Sequence, residues 1–99
     1  MRARDVVVPS HPALAGHFPG NPVIPGALLL ARVARAATPA PGATLRSIIS
    51  TKFHAPLRPS ETFEIEIDRA GGAEVAFRVL RGHTLIASGR LRFGDGHAD

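Results

Sequence analysis

The chain has 99 residues, of which 44% are hydrophobic and 20% charged, a balance that fits one soluble globular domain spanning 1–99. It contains no cysteine, which excludes a disulfide framework, thiolate chemistry and a cysteine-based zinc site, and no apolar run approaches the roughly 18 residues of a membrane span. The formal net charge of +4 comes almost wholly from arginine and fits an acidic partner, nucleic acid or an acidic protein, as well as a simply solvated basic surface. Scattered arginines, with no Lys/Arg run and no Trp or Tyr to stack on bases, speak against nucleic acid. The first five residues run into three valines without a signal-peptide core, so a cytoplasmic location is expected. A domain of this size is marginally stable alone, which makes dimerisation an expectation from length.

Arg4 to Val8 reads as a short strand because of its β-branched residues, and Pro9 ends it. Ser10 to Ile24 holds three prolines, two glycines and two histidines and reads as a loop. Pro25 suits the first position of a helix, where its fixed φ is pre-organised and its missing N–H is not needed. The good helix formers Ala27 to Ala37 continue that helix, and their nearly all-round apolar character predicts that it is mostly buried. Thr38 to Gly42 stops it.

The remainder reads as β. Thr44 to Ala55 is a long strand and Pro56 to Ser60 a turn. Thr62 to Asp68 alternates, with Phe63, Ile65 and Ile67 facing one way and Glu64, Glu66 and Asp68 the other. Ala70-Gly71-Gly72-Ala73 signals a hairpin, after which Val75, Phe77 and Val79 alternate with Ala76, Arg78 and Leu80. Gly82-His83 is a tight turn, and Leu85, Ala87, Gly89, Leu91 and Phe93 form an inward row. Residues 94–99 read as a flexible tail. One buried helix followed by a meander of at least four antiparallel strands is an α+β arrangement, a sheet covering one apolar helix.

Two segments carry a family resemblance. Gly16-His17-Phe18-Pro19-Gly20-Asn21-Pro22-Val23-Ile24-Pro25-Gly26 resembles the G-H-F-P-G-x-P-x-x-P-G motif of the bacterial 3-hydroxyacyl-carrier-protein dehydratases, FabZ- and FabA-like, which leads into their central helix. Lys52-Phe53-His54-Ala55-Pro56-Leu57-Arg58-Pro59-Ser60-Glu61 resembles their K-F-x-x-P-x-x-P-G-D segment, with Ser60-Glu61 for the usual Gly-Asp. The resemblance implies a hotdog fold, an antiparallel sheet wrapped around one central α-helix, and a dimer, either of two identical chains or with another hotdog chain. It implies no cofactor and no metal.

The same resemblance implies roles. His17 is the expected catalytic base or acid at C2 of a 3-hydroxyacyl thioester, a task suited to a group that titrates near working pH. Phe18, Val23 and Gly26 belong to the substrate-binding end: the Val23 carbonyl orients the His17 ring, and the Gly26 N–H binds the thioester carbonyl. The unpaired N–H groups and positive dipole end of a helix N-terminus suit that last role on physical grounds. Leu28 and Leu29 are expected along the acyl tunnel. The relatives place Glu or Asp five residues after the Pro-Gly glycine, and here that position is Ala31. No carboxylate lies between Asp5 and Glu61 to replace it. Arg35, four residues further and on the same helix face, is a candidate to hydrogen-bond a leaving oxygen, or simply a cation at a helix C-terminus.

The implied activity is dehydration of a 3-hydroxyacyl thioester, carried on acyl carrier protein, to the trans-2-enoyl thioester in fatty-acid-like or polyketide-like synthesis. Two alternatives stand beside it. One is a half-catalytic or non-catalytic hotdog subunit that binds acyl thioesters and needs a paralogue for the missing acid. The other is an acyl thioesterase. His11, His54, His83 and His97 show no metal-ligand spacing and read as surface or strand-end residues.

Overall fold

The computed structural model describes residues 1–14, 23–39, 42–69 and 72–94. Among these residues there are five strands and one α-helix: β1 (Arg2–Asp5), α1 (Gly26–Ala37), β2 (Thr44–Phe53), β3 (Phe63–Asp68), β4 (Glu74–Arg81) and β5 (Thr84–Gly94). The strands form one antiparallel sheet in the order β1-β3-β4-β5-β2. The architecture is the expected α+β hotdog arrangement.

The core forms where period-2 apolar rows of the strands meet the apolar stripe of the helix. Phe63, Ile65 and Ile67 of β3, Val75, Phe77 and Val79 of β4, and Ala87, Leu91 and Phe93 of β5 are buried, and Leu29, Val33 and Ala37 of α1 lie in the same cluster. These helix positions recur every four residues, which keeps them on one face. Among the described residues no helix is long and apolar enough to cross a membrane.

Several expectations change. β1 spans Arg2–Asp5 rather than Arg4 to Val8. Its partner β3 begins at Phe63, opposite Asp5, so the valines have no strand to pair with. The Asp5 carboxylate accepts the Val6 N–H at 2.7 Å, and Val7 turns into the core while Val6 and Val8 face outward. A 3-10 turn, Pro12–Leu14, follows them. Pro25 does not open the helix: at φ −60° and ψ 143° it is extended and stands as N-cap, its carbonyl accepting the Leu29 N–H at 3.1 Å. The helix is buried on one face only, because a single sheet covers it, and Ala27, Ala31 and Arg35 are exposed.

The strands also depart from a simple meander. Only β3, β4 and β5 follow one another; β2 lies at the far edge, beside β5. It ends at Phe53, and both the His54 and Ala55 N–H groups donate to the Ile86 carbonyl. Pro56 and Pro59 cannot donate to a ladder, so the chain crosses to β3 as a loop anchored by buried Leu57. On β5 the inward row begins at Ala87. A register shift places Val79 opposite Ala87 but Leu80 opposite Leu85, so Ile86 is an inserted bulge residue and Leu85 falls on the outer face. Gly94 pairs with Thr44 as the last residue of β5, and 95–99 lie outside the described residues.

Candidate active site at the N-terminus of the helix

The segment entering the helix is tied to the loop leaving β2. The Ile24 N–H donates to the Leu57 carbonyl at 2.8 Å, which brings the two sequence patches together. Among the described residues no side chain caps α1 at this end. The first-turn N–H groups therefore have no intrahelical acceptor and stand at the positive end of the helix dipole.

A groove of about 450 Å³ opens at this helix end, lined by Val23, Gly26 and Leu29 on one side and by Phe53, Leu57 and Ile86 on the other. That volume lies in the range of small-molecule sites, and a nearly all-apolar wall suits an acyl chain. Phe53, half exposed, lies over the Gly26 backbone. A Cβ on Gly26 would stand 2.7 Å from a carbon of that ring, so glycine is what lets an aromatic wall approach the helix end.

Val23, Gly26 and Leu29 line one groove. Leu28 does not: it packs half-buried against the core. Ala31 and Arg35 are exposed and do not line the groove, and Arg35 makes no ion pair among the described residues. His17 and Phe18 lie outside the described residues. Leu57 and Ile86 were not assigned to the site from sequence, and neither was Phe53. It stood in plain view in the Lys52–Glu61 patch, but nothing in the sequence indicated that its ring would meet Gly26.

His54 borders the groove, and its ring Nε2 lies 3.0 Å from Ser88 Oγ. His83 is exposed in the β4–β5 turn, and His97 is outside the described residues. Among the described residues no three His, Asp or Glu side chains converge on a point that a metal ion could occupy. Near the helix, Arg32 grips Asp5 through both carboxylate oxygens at 2.8 and 2.9 Å, fastening β1 to α1. This engages the carboxylate nearest in sequence to Ala31 in a structural pair.

Comparison with known proteins decides the family. A family model described as ApeI-like, ApeI dehydratase, matches residues 1–90. The chain belongs to this FabZ-related family of hotdog-fold dehydratases.

Among the relatives of the ApeI-like chain is the 3-hydroxyacyl-[acyl-carrier-protein] dehydratase FabZ of Chlamydia trachomatis, 30% identical over 106 residues, covering 92% of this chain and 69% of the relative. FabZ of Thermus thermophilus is 36% identical over 98 residues, covering 85% and 69%. The dehydratase heterocomplex ApeI:P from Xenorhabdus doucetiae superposes with a TM-score of 0.81 at 26% identity, covering 93% of this chain and 84% of that one. A fluoroacetyl-CoA-specific thioesterase, 19% identical with a TM-score of 0.66, covers 95% and 87% and shares the fold.

Proposed function

We propose that this chain is a subunit of a dehydratase that converts a 3-hydroxyacyl thioester, carried on acyl carrier protein, to the trans-2-enoyl thioester. The observation that carries this reading is the N-terminus of α1 at Gly26, uncapped among the described residues, opening into an apolar groove in a chain of the ApeI-like family. In the proposed reaction the thioester carbonyl accepts the Gly26 N–H, which stabilises the enolate-like oxygen as charge develops. His17 takes the C2 proton, held in position by the Val23 carbonyl. The C3–O bond breaks, the C2=C3 bond forms, and the departing hydroxide takes a proton and leaves as water. The acyl chain lies against Leu29, Phe53 and Ile86. A cysteine-free chain suits a reducing cytoplasm, where we place this reaction.

The proton for the leaving group is the incomplete part. Ala31 replaces the acidic residue, it is exposed on α1, and α1 contains no carboxylate. This favours a second reading within the first: the working unit is a pair of hotdog chains joined through the β2 edge, in which a different partner supplies the acid and this chain supplies His17 and Gly26. The likeness to one chain of a dehydratase heterocomplex supports that reading.

The test is a hydration and dehydration assay on 3-hydroxyacyl and enoyl thioesters. His17→Ala is expected to abolish turnover. Ala31→Glu in the chain alone is expected to raise it by on the order of 10²–10⁴, the value of a general acid. If neither the wild type, nor Ala31→Glu, nor the chain mixed with a second hotdog chain of the same cell turns over any thioester, the dehydratase reading fails. Hydrolysis without dehydration would instead favour a thioesterase.

A further inference from the structure

Part of the groove wall opposite Gly26 belongs to the loop 56–61, which lies outside the strand ladders. Pro56 and Pro59 have no N–H to give, so the loop takes its shape from hydrogen bonds made by other groups. Within it, the Arg58 N–H donates to the Glu61 carboxylate at 2.8 Å and the Glu61 N–H donates to the Arg58 carbonyl at 3.2 Å. From outside comes Arg81, the last residue of β4. Its Nη1 donates to the Pro56 carbonyl at 2.8 Å and to the same Glu61 carboxylate oxygen at 3.2 Å. One guanidinium nitrogen thus joins the first residue of the loop to the last.

The loop passes this restraint to the site. Pro56 and Leu57 line the groove, as do Ile24, Pro25 and Gly26, whereas Arg81 does not. The Leu57 carbonyl accepts the Ile24 N–H at 2.8 Å, two residues before Gly26. Arg81 therefore holds one carbonyl of the loop, and the next carbonyl along the chain holds the approach to the helix. Leu57, 2% exposed, sets the depth at which the loop sits, and Arg81 sets the tilt of the peptide before it. The Arg81 and Glu61 side chains are 32% and 34% exposed, and an ion pair that open to water adds little to stability. Its larger consequence is geometric.

We propose that Arg81, with Glu61, is a positioning residue for the thioester site: through the peptide between Pro56 and Leu57 it holds Ile24, and with it the Gly26 N–H, where the thioester oxygen binds. The inference rests on the dehydratase reading above and adds to it a residue outside the groove. A donor to a developing oxyanion acts only from the right place, and a displacement of about 1 Å can cost on the order of 10²-fold in rate. An interaction made chiefly in the transition state shows in kcat more than in KM. Arginine suits the task because its planar head stays charged and carries enough donors to serve a carbonyl and a carboxylate at once.

The experiment compares Arg81→Ala, Arg81→Lys and Glu61→Gln with wild type. The probe is trans-2-octenoyl pantetheine, titrated while NMR follows the Gly26 amide proton. The kcat and KM for 3-hydroxyoctanoyl pantetheine are measured in whichever form of the assay above turns over. In wild type the bound probe is expected to move the Gly26 amide downfield, as a new hydrogen bond does. In Arg81→Ala that shift should fall by about half or more and kcat by about 10-fold, with KM little changed. Arg81→Lys, whose ammonium still carries three donors, should recover part of both. Glu61→Gln keeps an oxygen for the Arg58 N–H, so its turn stays closed, and it should move both readouts in the same direction by less. A structural role alone would lower the Tm of Arg81→Ala while leaving the bound Gly26 shift and kcat as in wild type, and that result overturns the proposal. So does a wild-type Gly26 amide that ignores the probe. If Arg81→Ala does not fold, an unchanged shift and kcat in Glu61→Gln overturn it in the same way. If the shifts behave as expected yet no form dehydrates the thioester, the positioning role stands and the dehydratase reading falls.

Discussion

At the scale of single residues, Ser60 shows a departure from the family motif becoming a backbone fact. It stands where the resemblance implies a glycine, and it adopts φ 72°, the left-handed region. The turn is held there from both sides: the Ser60 N–H donates to the Val7 carbonyl at 2.8 Å, and the Arg58 N–H donates to the Glu61 carboxylate at 2.8 Å. A side chain in that region costs roughly 1–2 kcal/mol, and glycine returns part of this as lost chain entropy. Ser60→Gly is therefore expected to stabilise the protein by about 0.5–1 kcal/mol, a rise of several degrees in Tm for a domain of this size. Ser60→Ala should give no gain, so equal melting temperatures for the two variants would contradict this account. The proline and glycine content of this patch made the turn legible in the sequence; the hydrogen bond to Val7 was not legible, because it joins segments far apart in the chain.

At the scale of elements, legibility followed periodicity. β3, β4 and most of β5 are readable because their buried rows alternate strictly, and a one-residue slip would expose every one of them. The same alternation misplaced Leu85, since a bulge at Ile86 changes the phase without leaving a mark in composition. The Val6–Val8 run looked like strand by propensity, but a strand needs a neighbour, and β3 stops opposite Asp5. Across the outer rows, Arg2, Glu66 and Arg78 occupy matched positions on β1, β3 and β4. The Arg78 guanidinium first, and Arg2 second, hold the Glu66 carboxyl below its ordinary value of 4.5. A depressed carboxylate contributes stability that is present above the unfolded pKa and is lost as pH falls through the folded one. Wild type should accordingly have a higher urea midpoint than Glu66→Gln near about pH 6–7, with the gap narrowing below about pH 4.5 and closing at strongly acid pH. A gap that stays constant across that range would mean that the row contributes by shape rather than by charge. Added salt should shrink it, since the site is exposed.

At the scale of the whole molecule, the two edges of the sheet are unlike. β1 is four residues long and carries Arg2 and Arg4, the short charged edge of a sheet that is to stay open. β2 is ten residues long, and Leu45, Ile48, Ile49 and Phe53 are 41%, 47%, 43% and 51% exposed along it. An apolar edge of that length invites another strand. The apolar residues of β2 were visible in the sequence, but their exposure was not, because nothing local told β2 from a central strand. The magnitudes decide what kind of contact this is. Completing the burial of four half-exposed side chains yields on the order of 3–6 kcal/mol. Association costs about 4–15 kcal/mol in lost freedom. The two ranges overlap, the more so when both edges contribute, so the side chains bring association close to balance and the backbone ladder along β2 adds to them. Ile49→Lys leaves that ladder intact while removing one apolar contact and placing a charge in the seam, a loss of about 2–3 kcal/mol. In sedimentation equilibrium the dissociation constant of the two-chain particle, formed with itself or with its hotdog partner, is expected to rise by on the order of 100-fold. Ala43→Lys, just before the strand begins, should leave it nearly unchanged. An Ile49→Lys chain that associates as tightly as wild type would show that the partner seats elsewhere, and the acid missing at Ala31 would then have to reach the groove by another route.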